Sequence, residues 1–363
     1  TITRNRSITP PSRMVMRRLV ALVLVALIVI PMQSSAATES LWDDARITDE
    51  IGTKYGTIGG ISIELSNTTY EESTSGITDL PSIVEVYTAT WCSNCIKTEQ
   101  ALDDAIGNLD VTRIHYHRHL YETLDPFGSN STDSRWVENY GAGSLLSTER
   151  SMSASDGGVI TIPGTERSAP SKVFDGERMY TGISTKSNSL LTDYSTALAL
   201  GSSHPFSSNG SISLEVSASM AMPTNDQEGN HSGEILDYNF QWDISLWSEK
   251  DSPWELNTWL MVEDVAYHPE GSNGKANYTN VLHEAVNVGI SHSGFFAFEP
   301  PQPWDGDDMS VVLIVDWESR DAASSSNSVP APGVTTLLCM LAALVPRRQG
   351  NPGQKPSLNQ WVE

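Results

Sequence analysis

Trp91-Cys92-Ser93-Asn94-Cys95 follows an apolar-rich run, Ile83 to Tyr87, and precedes a stretch with helical periodicity. In that stretch Cys95, Leu102, Ala105, Ile106 and Leu109 recur at helical spacing, with Lys97, Glu99, Gln100, Asp103 and Asp104 between them. The order demands a buried strand, a tight turn and an amphipathic helix. Two cysteines three positions apart then share one face of the first helical turn. The helix N-terminus presents unpaired N–H groups and the positive end of the dipole to Cys92, which favours its thiolate. An ordinary thiol, with a pKa near 8.5, supplies little thiolate at neutral pH. Cys92 is therefore the expected nucleophile, and Cys95 is expected to resolve the mixed disulfide. Trp91 is expected to cover the edge of the site. The competing reading is an inert structural disulfide.

Cys339 is the only other cysteine, so neither a disulfide-stapled scaffold nor a four-ligand structural zinc site is available. Arg17 and Arg18 precede twelve apolar residues, Leu19 to Ile30, then Pro31 and the small residues Ser34 to Ala37. Residues 1–37 thus read as a secretory signal region, whose twelve-residue apolar run is too short to span a bilayer. Residues 38–330 hold 14 Lys+Arg against 44 Asp+Glu, a net charge of −30. Such a surface repels phosphate backbones and argues against a nucleic-acid partner. Asn67, Asn130, Asn209, Asn230 and Asn277 open Asn-x-Ser/Thr triplets, candidate glycosylation sites in an exported chain.

The chain divides by pattern. Residues 38–80 are a polar N-terminal segment with one strand expected at Ile61 to Leu65. Residues 81–201 read as an α/β domain. Val111 to His117 is its second strand, Ser131 to Tyr140 a helix stopped by Gly141, and 142–168 an inserted loop or lid. A hairpin then runs from Ser171 to Tyr180 about Asp175-Gly176, and a helix covers Lys186 to Leu200. Residues 202–320 lose helical periodicity. They carry β-type runs at Ser211–Met220, Ile235–Trp247, Leu256–Tyr267, Tyr278–Val288, Gly294–Phe298 and Ser310–Trp317, as expected of an all-β sandwich.

Residues 321–333 form a linker rich in Ser, Ala and Pro, and 349–363 a tail. Between them lies the hydrophobic segment 334–348. Its Pro332-Gly333 entry, apolar run Val334 to Val345 and basic exit Arg347-Arg348 resemble the C-terminal sorting signals of exported prokaryotic surface proteins. The resemblance implies a membrane contact through this segment.

The run Ile83 to Cys95, IVEVYTATWCSNC, resembles the active-site strand and turn of the thioredoxin superfamily. The likeness is nearest to secreted thioredoxin-like surface proteins with a following β-domain, and covers about residues 81–201. Asp125-Pro126-Phe127 and the segment Ala169 to Gly182, with Pro170 and Asp175-Gly176, also carry it. It implies a cis proline at Pro170, with the backbone of Ala169 pairing to a substrate strand. Many thioredoxins place a buried acid six positions before the first cysteine. Here that position is Val86, and strand alternation turns Glu85 to the other face.

His115, His117 and His119 alternate along the second strand and are candidate metal ligands, although ordinary packed or hydrogen-bonded histidines are the preferred reading of the pattern. The leading functional expectation is a surface-tethered, extracytoplasmic thiol–disulfide oxidoreductase. It needs no cofactor, and its partners are protein thiols or disulfides and a membrane or extracytoplasmic redox protein. The alternatives are a non-enzymatic surface binding protein built on the same scaffold and a copper or zinc metallochaperone.

Overall fold

The computed structural model describes residues 41–65, 68–118, 125–155, 157–220, 235–248, 253–305 and 308–320. The signal region, the linker, the hydrophobic segment and the tail lie outside these residues, as do His119, Asn67 and Asn230. Among the described residues no helix is long and apolar enough to cross a membrane.

The molecule is mixed α/β and dominated by strands. Its largest sheet has nine strands. In chain order these are β1 (Asp43–Asp44), β2 (Thr53–Glu64), β4 (Ser82–Thr88), β5 (Val111–His117), β8 (Ser171–Phe174), β9 (Arg178–Thr181), β12 (Trp254–Tyr267), β13 (Asn277–Gly289) and β15 (Ser310–Arg320). Their spatial order is β1-β9-β8-β4-β5-β13-β12-β15-β2. A second sheet orders β14 (Ser293–Phe298), β11 (Ile235–Ser245), β10 (Ser211–Met220) and β3 (Tyr70–Gly76). A separate hairpin pairs β6 (Arg150–Ser153) with β7 (Val159–Ile162).

β4 pairs with β5 in parallel, so the connection between them must cross one face of the sheet. That crossover is α1 (Ser93–Ile106). Its Leu102 and Ile106 pack with Val84, Val86, Phe174 and Tyr180, and with Tyr194, Ala197 and Leu198 of α4 (Leu190–Leu200). The opposite face of β4 and β5 carries Ile83, Tyr87, Ile114 and Tyr116. These pack with Trp136 and Tyr140, from the helical stretch formed by α2 (Asn130–Trp136), a π turn (Val137–Gly141) and α3 (Ala142–Thr148).

The boundary expected at residue 201 does not interrupt the sheet. β13 lies parallel beside β5, with Val281 opposite His115. The core under Trp136 continues into Trp259, Met261, Leu282, Val312 and Ile314. All of the described residues belong to one compact unit.

A second core, between the two sheets, joins Ile212, Leu214, Val216, Phe240 and Ile244 to Leu260, Val262, Val311, Leu313 and Val315. The two sheets pack face to face here as a sandwich, but not as a separate domain of residues 202–320: β12, β13 and β15 continue the sheet of β4 and β5, and residues 38–80 contribute to the core. Ile58, Ile61 and Ile63 of β2 belong to the same core, and β3 forms the far edge of the second sheet.

Two further expectations are corrected. Gly141 does not stop the helix: its backbone is right-handed helical, at φ −57° and ψ −45°, and the chain runs on into α3. Residues 142–168 are not a bare loop, because they contain α3 and the β6–β7 hairpin.

Candidate redox site

Cys92 is the N-cap of α1. Its φ of −85° and ψ of 96° are extended, so its side chain can turn back over the first helical turn. Its Sγ accepts a hydrogen bond from the Cys95 amide at 3.2 Å, and the two sulfurs are joined as a disulfide. Cys92 is 6% exposed and Cys95 1%, so Cys92 is the more accessible residue of the pair. Ala89 completes the buried patch, with Trp91 and Ala169 packed against it. The Arg118 guanidinium lies 5.6 Å from the Trp91 ring centroid.

The Ala169–Pro170 peptide is cis, as the resemblance implied; Pro170 directly precedes β8, and Ala169 packs against the pair. Trp91, Ala169, Pro170 and the two cysteines are thus brought together from segments almost eighty residues apart.

Asp125 fixes the approach to the turn. Its carboxylate accepts from the Thr90 amide at 2.5 Å and the Phe127 amide at 3.1 Å, and lies 3.0 Å from His117 Nδ1. Burial pushes the Asp125 pKa up, but these hydrogen bonds and His117 outweigh it and hold the carboxyl below its ordinary value. The His117 ring also meets Phe127 and Tyr278 edge-on.

His115 is buried on the same side of β5 and faces Glu99 of α1. Burial drives its pKa down to about 3, against the pull of Glu99, so it is neutral at physiological pH. The histidine strip is therefore divided between two environments, an aspartate partner and a glutamate neighbour. Among the described residues no group of three or more His, Cys, Asp or Glu side chains is placed to hold a metal ion.

Glu85 is fully buried and turned away from α1, as strand alternation required. It accepts hydrogen bonds from the Tyr116 and Tyr140 hydroxyls and lies 3.4 Å from Arg135.

The charges near the cysteines come instead from residues outside any motif. Lys172 of β8 is buried, and its Nζ donates to Thr98 Oγ1 at 2.8 Å. Thr98 Oγ1 in turn donates to the Cys95 carbonyl at 2.9 Å. Burial lowers the Lys172 pKa to about 8, against the attraction of Glu99 and Asp103. Glu99 accepts from Thr88 Oγ1 at 2.8 Å and from Lys275 Nζ at 2.9 Å. Burial alone would raise its pKa, but its neighbours His115, Lys275 and Lys172, in that order, hold it down at about 2.

A usable signal existed for two of these residues. Glu99 stands four positions after Cys95 on the helix, and Lys172 interrupts an otherwise uncharged four-residue strand. Lys275 sits in a Gly/Asn-rich loop and gave none.

Of the candidate glycosylation sites among the described residues, Asn130, Asn209 and Asn277 are all exposed.

The fold and site together define a β-rich α/β protein with a cystine capping the helix of a parallel β-α-β unit. No protein-family model and no curated protein matches the chain. Among solved structures, it is similar to HBP35 of Porphyromonas gingivalis at 13% identity and a TM-score of 0.37, covering 78% of this chain and 82% of that one. It is also similar to a structural-genomics protein of Agrobacterium tumefaciens at 13% identity and a TM-score of 0.33, covering 60% of this chain and 78% of that one.

Proposed function

We propose that this chain is an extracytoplasmic, surface-tethered thiol–disulfide oxidoreductase whose residues 81–201 form a thioredoxin-like unit. The observation that carries the reading is the Cys92–Cys95 disulfide at the N-cap of α1, with Ala169, the residue before cis Pro170, packed against it. Export and tethering rest on the two terminal apolar segments of the sequence.

In the oxidised direction, a thiolate of a substrate dithiol attacks Cys92 Sγ and breaks the Cys92–Cys95 bond. Cys95 leaves as a thiolate and takes up a proton. The second substrate thiolate then attacks the substrate sulfur of the mixed disulfide and expels Cys92 as a thiolate. The substrate ends as a disulfide and the protein as a dithiol, with two electrons transferred. Reduction of a substrate disulfide runs the same steps backwards. The helix N-terminus favours the anionic Cys92 that both directions require.

The test is turnover of insulin disulfides by the protein in the presence of dithiothreitol, beside a Cys92→Ser/Cys95→Ser double variant. The expected result is catalysed precipitation of the insulin chains, lost in the double variant. Equal rates for the two proteins would overturn the proposal.

A further inference from the structure

The connection between β12 and β13, residues 268–276, belongs by sequence to the sandwich, yet it closes on the cysteine turn. The Asn273 amide donates to the Thr90 carbonyl at 3.1 Å, and Asn273 Nδ2 donates to the Ala89 carbonyl at 3.3 Å. That same Ala89 carbonyl accepts the Cys92 amide at 3.0 Å. Gly271 comes so close that a Cβ there would stand 3.0 Å from the Thr90 carbonyl oxygen.

The loop is itself held in shape. Asn273 Oδ1 accepts from the Lys275 amide at 2.8 Å and from the Tyr278 hydroxyl at 3.0 Å. Lys275 leaves this frame and reaches Glu99 on α1 at 2.9 Å. A cavity of about 340 Å³ separates α1 from the loop, with Glu99, Gln100 and Asp103 on one wall and Asn273 and Lys275 on the other. Solvent therefore reaches the ion pair from outside, while Glu99 extends inward to Thr88.

We infer that this loop is part of the cysteine site, and that Lys275, acting through Glu99, is a positioning residue that sets the thiol–disulfide equilibrium of Cys92 and Cys95. The inference rests on the reading that the pair is redox-active. Its electrostatic logic is simple. The reduced pair carries a thiolate at Cys92, and an uncompensated carboxylate on the same helix, two turns away, disfavours that anion. Lys275 compensates the carboxylate. Removing it exposes the Glu99 charge, destabilises the reduced form and makes the pair more reducing. Neutralising Glu99 does the reverse.

The test is the equilibrium of the full protein with glutathione redox buffers, followed by thiol labelling, for the wild type, Lys275→Met and Glu99→Gln. Lys275→Met should make the pair about three- to tenfold harder to reduce, or ~14–30 mV more negative at 29.6 mV per tenfold. Glu99→Gln should make it easier to reduce by a comparable factor. Structural damage alone does not produce shifts of opposite sign, and thermal unfolding of each variant identifies such damage separately. Shifts in the same direction, or no shift in either variant, overturn the inference. A wild-type pair that equilibrates with glutathione but does not turn over insulin leaves this inference standing while defeating the oxidoreductase proposal. A pair that glutathione cannot reduce at any ratio defeats both.

Discussion

Arg135 Nη1 lies 2.7 Å from Asp316 Oδ2, joining α2 to β15, the strand between β12 and β2, through a side-chain contact between buried residues. The same guanidinium reaches Glu85 of β4 at 3.4 Å and stacks 4.7 Å above the Trp259 ring. Asp316 also accepts from Arg46 at 2.6 Å, from Thr57 at 2.7 Å and from Asn139 at 3.2 Å. Two cations thus face two carboxylates in a largely buried site, with most of the remaining oxygen lone pairs occupied. Burial would push Asp316 towards its neutral form, but Arg135 and Arg46 prevail and hold its pKa well below the usual carboxylate range. This network is one reason why the α/β half and the sandwich form one compact unit.

Arg135→Met should therefore destabilise the whole protein by about 3–5 kcal/mol, because it strands two buried carboxylates facing one remaining cation. Urea unfolding followed by tryptophan fluorescence measures this. An Arg135→Met/Asp316→Leu double variant should lose less than the sum of the two single losses. A loss under 1 kcal/mol for the single variant would show the pair to be dispensable.

The hairpin turn at Asp175-Gly176 makes a second junction. The Thr57 amide of β2 donates to the Asp175 carbonyl at 2.7 Å. Gly176 has φ +68°, and a Cβ there would stand 2.4 Å from Thr57 Oγ1 and 2.7 Å from its backbone nitrogen. Gly182 has φ +85° with nothing within 4 Å of its would-be Cβ. Gly182→Ala should cost about 1 kcal/mol from the backbone alone, and Gly176→Ala roughly 2–4 kcal/mol because collision adds to strain. Equal losses in thermal unfolding would contradict the close approach.

Much of this architecture was legible where one physical signal dominated. Val84 and Val86, the Asp175-Gly176 turn and the six strands after residue 202 all announced themselves by apolar runs or turn chemistry. β2 was legible only in its last part, the strand expected at Ile61 to Leu65, because Gly59 and Gly60 interrupt its pattern at φ +115° and +87°, beside a register shift at Leu313/Ile314. β3, sequence YEESTSG, has no apolar alternation to read, and only its pairing with β10 makes it a strand. At the site, the cysteines, Ala169 and Pro170 were readable because their motif is local or carried by resemblance. Glu99, Lys172 and Lys275 meet across separations of up to 176 residues, which no local pattern encodes.

Glu263 of β12 gives a pH dependence with a definite sign. Burial raises its pKa to about 8, with a hydrogen bond from Asn280 and the charge of Arg113 opposing weakly. The unfolded chain releases the proton near 4.3, so folding at neutral pH takes one up. Its favourable contribution is complete below about pH 4 and is lost progressively as the pH rises towards 8. Glu263→Gln should therefore stabilise the protein at pH 7 by on the order of 2–4 kcal/mol, and the gain should vanish near pH 4. Urea unfolding across that range decides it. A gain independent of pH would mean that Glu263 is not the titrating group.

The unequal burial of the two cysteines predicts the order of alkylation after reduction. Cys92 is the more exposed sulfur and caps α1, where the helix dipole and the first-turn amides favour its thiolate. Cys95, in the first turn of α1, is 1% exposed and has Thr98 bonded to its carbonyl. Iodoacetamide at neutral pH should therefore modify Cys92 at least about tenfold faster than Cys95, since only the thiolate reacts and access is one-sided. Peptide mapping after short labelling times measures the ratio. Equal labelling, or labelling of Cys95 first, would place the nucleophile on the wrong sulfur and reverse the order of attack and resolution.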